Sequence, residues 1–196
     1  MNKVFLFCGV ESTGKSTSIN IIKQRLKHLG FNVCVISEVG RDICAESGGV
    51  FEMSIFDYEQ ILYQHQANFI NEYKKTNDTI ILLDTDSIYT KYYLEKDTNL
   101  QSSNKTQCTQ LGILADYIAT ENIKNGRITD IFYLNSDCEF VQDGTRTYQS
   151  TRLQDDKILL NMYKQIYKNI TVITGHDWNF RVKNIEKQIK THLETN

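Results

Sequence analysis

The stretch Val4-Phe5-Leu6-Phe7-Cys8-Gly9-Val10-Glu11-Ser12-Thr13-Gly14-Lys15-Ser16-Thr17 decides the fold. Val4 to Cys8 is a short continuous apolar run, the pattern of a strand buried on both faces. Gly9 to Ser16 then fits G-x-x-x-x-G-K-[ST], the pattern of a phosphate-binding loop. Behind it Ile19, Ile22, Leu26 and Leu29 recur at helical spacing, and Gly30 stands where that helix should end. Strand, glycine loop and helix in this order let backbone N–H groups of Gly9, Val10, Glu11, Ser12, Thr13, Gly14, Lys15, Ser16 and Thr17 curl around phosphates at a helix N-terminus. Lys15 is expected to reach the β- and γ-phosphates of ATP, and the Ser16 hydroxyl to bind Mg²⁺.

Outward from that loop, strand and helix patterns alternate, which predicts a parallel sheet with helices on both faces. Further strands are expected at Phe31–Ile36, Thr79–Leu83, Ile131–Leu134 and Ile170–Ile173, giving five in all. Ser54 and Asp57 mark a helix start of capping-box type, with Ile55, Tyr58, Leu62, Phe69 and Tyr73 on its apolar face. Another helix is expected over Thr106–Ile123 with Leu111, Leu114 and Ile118 inward, and a last one carries Val182, Ile185, Ile189 and Leu193. The expected class is an α/β phosphate-loop NTPase, a three-layer sandwich, in one domain over residues 1–196. Asp97–Lys105 is polar and reads as a loop. Glu139–Arg152 has no regular pattern and reads as a lid.

The chain has 196 residues with 22 basic and 24 acidic side chains, a formal charge of -2 that argues against a nucleic-acid coat protein. No apolar run approaches the length of a membrane span, and no signal-peptide pattern precedes the loop. The five cysteines form no CxxC pair and no metal-ligand spacing, so they read as reduced thiols of a cytoplasmic protein. The partner expected is a small molecule, with neither nucleic acid nor membrane.

Three further segments carry candidate chemistry. Ile80-Ile81-Leu82-Leu83-Asp84 places a carboxylate at the C-terminal edge of the sheet, where Asp84 can hold Mg²⁺ with Ser16. Asp86, two residues on, can face the same crevice; either acid can instead cap the next helix. Glu38 closes the second strand beside the phosphate loop, where a carboxylate can accept the proton of an acceptor hydroxyl, with Asp86 the rival base. Arg41 can clamp a phosphate or pair with Asp42. In the lid segment, Arg146 is a candidate to meet charge developing on the transferred phosphoryl group, and Arg152 to bind the nucleotide.

These pieces together resemble the nicotinamide-riboside kinase (ribosylnicotinamide kinase) domain of NadR-type proteins, from Val4 to about Thr174. The matching marks are the Gly9–Ser16 loop, Glu38-Val39-Gly40-Arg41, His65-Gln66, Leu83-Asp84-Thr85-Asp86 and Asp143-Gly144-Thr145-Arg146. Val39 and Gln142 depart from the family, which often has an aromatic residue and an acid there. The resemblance implies a fold similar to nucleoside and thymidylate kinases, and ATP-dependent phosphorylation of the ribose 5′-hydroxyl of nicotinamide riboside. It adds His65, Gln66 and Asp143 to Glu38, Arg41, Asp84 and Asp86 as substrate contacts. A histidine flanked by Tyr63 and Phe69 also suits a core. Tyr89, Tyr92 and Tyr93 can stack on a cationic ring or simply pack their helix. NadR-type proteins can carry an adenylyltransferase domain and a DNA-binding segment ahead of the kinase; this chain begins at the first strand, so the expected product is the mononucleotide. The alternatives are a deoxynucleoside or nucleotide kinase, and a nucleotide-dependent regulatory ATPase. A GTPase switch would want Asn-Lys-x-Asp, and Asn104-Lys105-Thr106-Gln107 lacks the final acid.

Overall fold

The computed structural model describes residues 1–49, 52–139 and 149–194. Five parallel strands, β1 (Lys3–Cys8), β2 (Val33–Ile36), β3 (Ile80–Asp84), β4 (Asp130–Leu134) and β5 (Thr171–Ile173), form one sheet in the order β2-β3-β1-β4-β5. The strand that precedes the phosphate loop is therefore central, with Phe7 paired to Asp84 on one side and to Phe132 on the other. This is the five-stranded sandwich that the alternating pattern predicts. The second strand begins two residues later than expected, at Val33.

Strand pleating sorts the core into two layers. Val4, Leu6, Cys8, Ile81, Leu83, Ile131 and Tyr133 face helices α3 (Ile55–Lys75), α4 (Ser87–Lys96), α6 (Lys105–Lys124) and α7 (Arg152–Ile166). Phe5, Phe7, Ile80, Leu82, Phe132 and Leu134 face α1 (Lys15–His28) and α8 (Trp178–Glu194), which bring Ile19, Ile22, Leu26, Val182, Ile185 and Ile189. A third cluster joins Val39 and Ile43, at the start of α2 (Gly40–Glu46), to Met53, Tyr58, Ile61, Leu94, Leu100 and Cys108. It props up the sheet edge where β2 ends.

The capping box at Ser54 forms as expected: Asp57 N–H donates to the Ser54 hydroxyl, and the Asp57 carboxylate accepts from Ser54 N–H at 2.6 Å. Three expectations change. Asp97–Lys105 is no loop, because Asp97 caps a short helix, α5 (Thr98–Ser103), accepting from Leu100 N–H at 3.0 Å, and Leu100 is buried. In α6 the residues that turn inward are Cys108, Gly112, Ala115, Ala119 and Asn122, while Leu111, Leu114 and Ile118 are only partly buried. Small side chains let α4 approach closely, and Ser87 Oγ donates to the Ala115 carbonyl at 2.7 Å. Helix α7 has no counterpart among the expected elements. Most of the expected lid, with Asp143 and Arg146, lies outside the described residues. Among those described, no helix is long and apolar enough to cross a membrane.

Candidate active site

The loop between β1 and α1 is built for an anion. Gly9 has φ +136°, and a Cβ there would come within 2.2 Å of the Leu134 carbonyl oxygen. Gly14, at φ +77°, is the N-cap of α1 and offers no side-chain cap, so the first N–H groups of the helix stay available to a ligand. A Cβ at Gly14 would lie inside the ring of Trp178, which packs against the loop. Thr13 Oγ1 ties the turn to the Val10 carbonyl at 2.9 Å. Lys15 is buried, donating to the Gly9 and Val10 carbonyls at 2.8 and 3.0 Å, with its ammonium 4.9 Å from the centroid of the Tyr89 ring. Val10 anchors the loop in the core, and Thr17 is exposed in the first turn.

Two buried arginines brace the loop from behind. Arg152 donates to the Glu11 carbonyl (3.3 Å), the Ser12 carbonyl (3.0 Å) and the Cys138 carbonyl (2.8 Å). Arg181, fully buried, donates to the carbonyls of Thr13, Asn135 and Gly175 and pairs with Asp137. Outward carbonyls held this way leave the N–H groups turned inward. Arg152 therefore holds the backbone of the loop, a different job from the direct nucleotide contact expected of it. Arg152→Met should leave the Glu11 and Ser12 carbonyls unheld and raise the KM for ATP by about tenfold, measured by steady-state kinetics beside a melting curve. A change in Tm alone would leave the loop geometry independent of this residue.

On the β2 side of the loop lies a cavity lined by Lys15, Glu11, Glu38, Arg41, His65, Thr85, Tyr89 and Tyr93, with Val39, Met53, Tyr58 and Ile61 as its apolar part. Its space, the open mouth included, is about 860 Å³. Burial pushes the Glu38 carboxyl up to about 7; Lys15 and Arg41 pull it down, while Asp84 and Glu11 push it further up. Arg41 sits 3.7 Å from the Glu38 carboxylate. Tyr93 donates to the Glu11 carboxylate at 3.0 Å and lies 3.3 Å from the Tyr89 hydroxyl. Burial pushes the His65 imidazole down to about 4, against a hydrogen bond to the Asp84 carbonyl that raises it. The side chain of Glu11 thus belongs to this cavity, which its place in the phosphate-loop motif did not reveal.

Two expected contacts are brought elsewhere. Asp86 is the N-cap of α4, accepting from Ile88 N–H at 3.1 Å, and its oxygens also accept from Tyr163 (2.7 Å) and Tyr167 (2.5 Å). It does not line the cavity; it latches α7 to the end of β3. Gln66 exchanges two amide hydrogen bonds with Asn122, at 3.1 and 3.0 Å, and joins α3 to α6. Tyr92 and Tyr89 both belong to the core cluster, with Tyr93 packed against it, but only Tyr89 and Tyr93 line the cavity.

The residues expected to hold Mg²⁺ do meet. Ser16 Oγ donates to Asp84 Oδ2 at 2.7 Å, and buried Asp84 Oδ1 has no partner among the described residues. Burial raises the Asp84 carboxyl, while Lys15, the Ser16 bond and Arg41 lower it. Among the described residues no cluster of three His, Cys, Asp or Glu forms a self-sufficient metal cage. Mg²⁺ beside phosphates needs only one or two protein oxygens, so Ser16 and Asp84 fit it.

Residues 4–181 match a family model described as an AAA domain. Comparison with curated proteins finds no match. Among solved structures, the fold is similar to a NadR protein in complex with NR, at TM-score 0.69 and 17% identity over 96% of this chain and 50% of that one. It is also similar to a NadR protein in complex with NAD and AMP-PNP, at TM-score 0.65 and 18% identity over 90% and 45% of the two chains. A thymidylate kinase from Candida albicans matches at TM-score 0.61 and 13% identity over 100% and 92%. The chain spans about half the length of the two NadR structures. At these identities the likeness is one of fold.

Proposed function

Because the chain belongs to the AAA domain family and has the fold of a phosphate-loop kinase, we propose that it is an ATP-dependent kinase of a small nucleoside, with the ribose 5′-hydroxyl of nicotinamide riboside as acceptor. The observation that carries this reading is the shared cavity. The phosphate-loop lysine and a carboxylate raised to about 7 line the same space. A regulatory ATPase needs no acceptor chamber beside its loop. A thymidylate kinase fold and two NadR folds among the relatives favour nucleoside chemistry within the kinases.

Each residue has work in that reaction. The N–H groups from Gly14 onward and Lys15 hold the phosphates and meet the charge that shifts during transfer. Ser16 and Asp84 would hold Mg²⁺, which when bound offsets phosphate charge. Glu38 takes the hydroxyl proton onto its carboxylate, and a resting value near 7 suits a base at neutral pH. Tyr89 and Tyr93 offer ring faces to the acceptor.

The direct test supplies ATP, Mg²⁺ and separate nucleosides, with product mass as readout. Expected is a mononucleotide from nicotinamide riboside and slow hydrolysis without acceptor, because a kinase must keep water from serving as acceptor. Fast hydrolysis indifferent to every nucleoside would move the protein to the ATPase class. Transfer to a deoxynucleoside alone would keep the kinase and change the acceptor.

A further inference from the structure

His65 offers the acceptor cavity a hydrogen-bond partner of fixed polarity. It projects from α3 and is 8% exposed. Its Nε2 lies 3.3 Å from the Asp84 carbonyl oxygen. A carbonyl oxygen only accepts, so Nε2 carries the ring proton. With the proton on Nε2, the neutral imidazole keeps its lone pair on Nδ1. Nδ1 has no hydrogen bond among the described residues, and it is not among the sealed, unsatisfied atoms of the interior. The side chain lines the cavity beside Glu38, Thr85 and Tyr89.

The rest of the wall is mixed. Glu11 and Glu38 add carboxyl oxygens, and Lys15 and Arg41 add donors. The Tyr93 hydroxyl is committed to Glu11. A ligand group turned to His65 meets a lone pair, so a donor there is satisfied and an acceptor is not, while accepting groups elsewhere on the ligand can turn to Lys15 and Arg41.

The geometry points to His65 Nδ1 as the specificity-determining acceptor of the cavity, selecting nucleosides that present an N–H or O–H donor to it and rejecting analogues that present only lone pairs. This rests on the reading of the cavity as the nucleoside site. The donor can come from an exocyclic amide of the base or from a ribose hydroxyl; the shared chemistry is a neutral hydrogen bond into imidazole.

Calorimetric binding to the full chain, alongside kinetics, separates these sources. The probes are the pyridinium riboside with a 3-carboxamide, its 3-carboxylate analogue, and 2′- and 3′-deoxy forms of the carboxamide. With an amide donor, the parent prefers carboxamide over carboxylate by tenfold or more, and His65→Gln narrows that ratio about tenfold because its amide can turn a donor outward. With a ribose donor, one deoxy form binds the parent about tenfold more weakly, and His65→Gln removes that difference while the carboxamide ratio holds. In either case the loss appears in the KM of the acceptor, with the KM for ATP unchanged. His65→Asn repeats the measurement if His65→Gln melts early. Equal losses for all four probes, or a parent that binds none of them, would overturn the assignment. Tight, selective binding without phosphoryl transfer would instead defeat the kinase reading and keep the role of His65.

Discussion

Lys15→Ala should lower kcat by about 10²-fold or more, with the fold retained. In the structure the Lys15 ammonium is held in reserve on the Gly9 and Val10 carbonyls. A bound phosphate offers stronger, charged partners a short swing away. Because the charge on the transferred group redistributes in the transition state, the loss should exceed any rise in the KM for ATP. The one tryptophan, Trp178, packs against Gly14, so its fluorescence reports ATP binding without turnover. The expected pattern is a persistent fluorescence response with nearly abolished catalysis. Near-normal turnover in Lys15→Ala would remove the phosphate-loop reading altogether.

Glu38→Gln should cost about 10²-fold in kcat, because the amide keeps the shape and cannot take a proton. The pH profile gives the sharper reading. With the Glu38 carboxyl at about 7, the basic form grows as pH rises, so kcat/KM of the parent should climb through pH 7 and level off above it. Glu38→Gln should lose that limb. Stability runs the other way. The folded value lies above the ordinary carboxyl value of 4.5, so the folded state holds the proton more tightly. The stability tied to that proton is fully present below 4.5 and is lost as pH rises through about 7. Glu38→Gln, with nothing to ionise, should therefore melt higher than the parent at pH 8 and no higher at pH 4. Asp86→Asn is the control: it disturbs the acceptor of the Tyr163 and Tyr167 hydroxyls, so it should lower Tm at a smaller cost in kcat. A larger kcat loss in Asp86→Asn than in Glu38→Gln would return the role of base to Asp86.

What the sequence made legible was local. The loop from Gly9 to Ser16 carries its spacing in eight adjacent residues, and the apolar runs of β1 and β3 announce burial without further context. The pairing of Ser16 with Asp84 was readable because Asp84 ends β3 and Ser16 opens the helix that follows the neighbouring strand β1, both at the C-terminal edge of a parallel sheet. Arg152 was not readable: nothing in its neighbours says that the guanidinium turns to carbonyls 140 and 141 residues away. Asp86 and Gln66 misled for the same reason. A polar side chain near a site has the same letter whether it meets a ligand or a tyrosine on another helix. The inward stripe of α6 was missed because a hydrophobic pattern counts large residues, whereas close helix contact selects small ones.

The central place of β1 sets a condition on how the chain acquires its shape. Its neighbours are β3 and β4, so β1 waits for the later segments at residues 80–84 and 130–134 before both its edges are covered. During synthesis, the apolar run from Val4 to Cys8 keeps one edge unpaired until residues 130–134 have emerged, a window in which a holdase would find it. Such distant pairings slow the search for the native arrangement. The chain contains no proline, so prolyl isomerisation adds no slow phase of its own. Refolding from denaturant should accordingly follow the pace of sheet assembly and be unaffected by a prolyl isomerase.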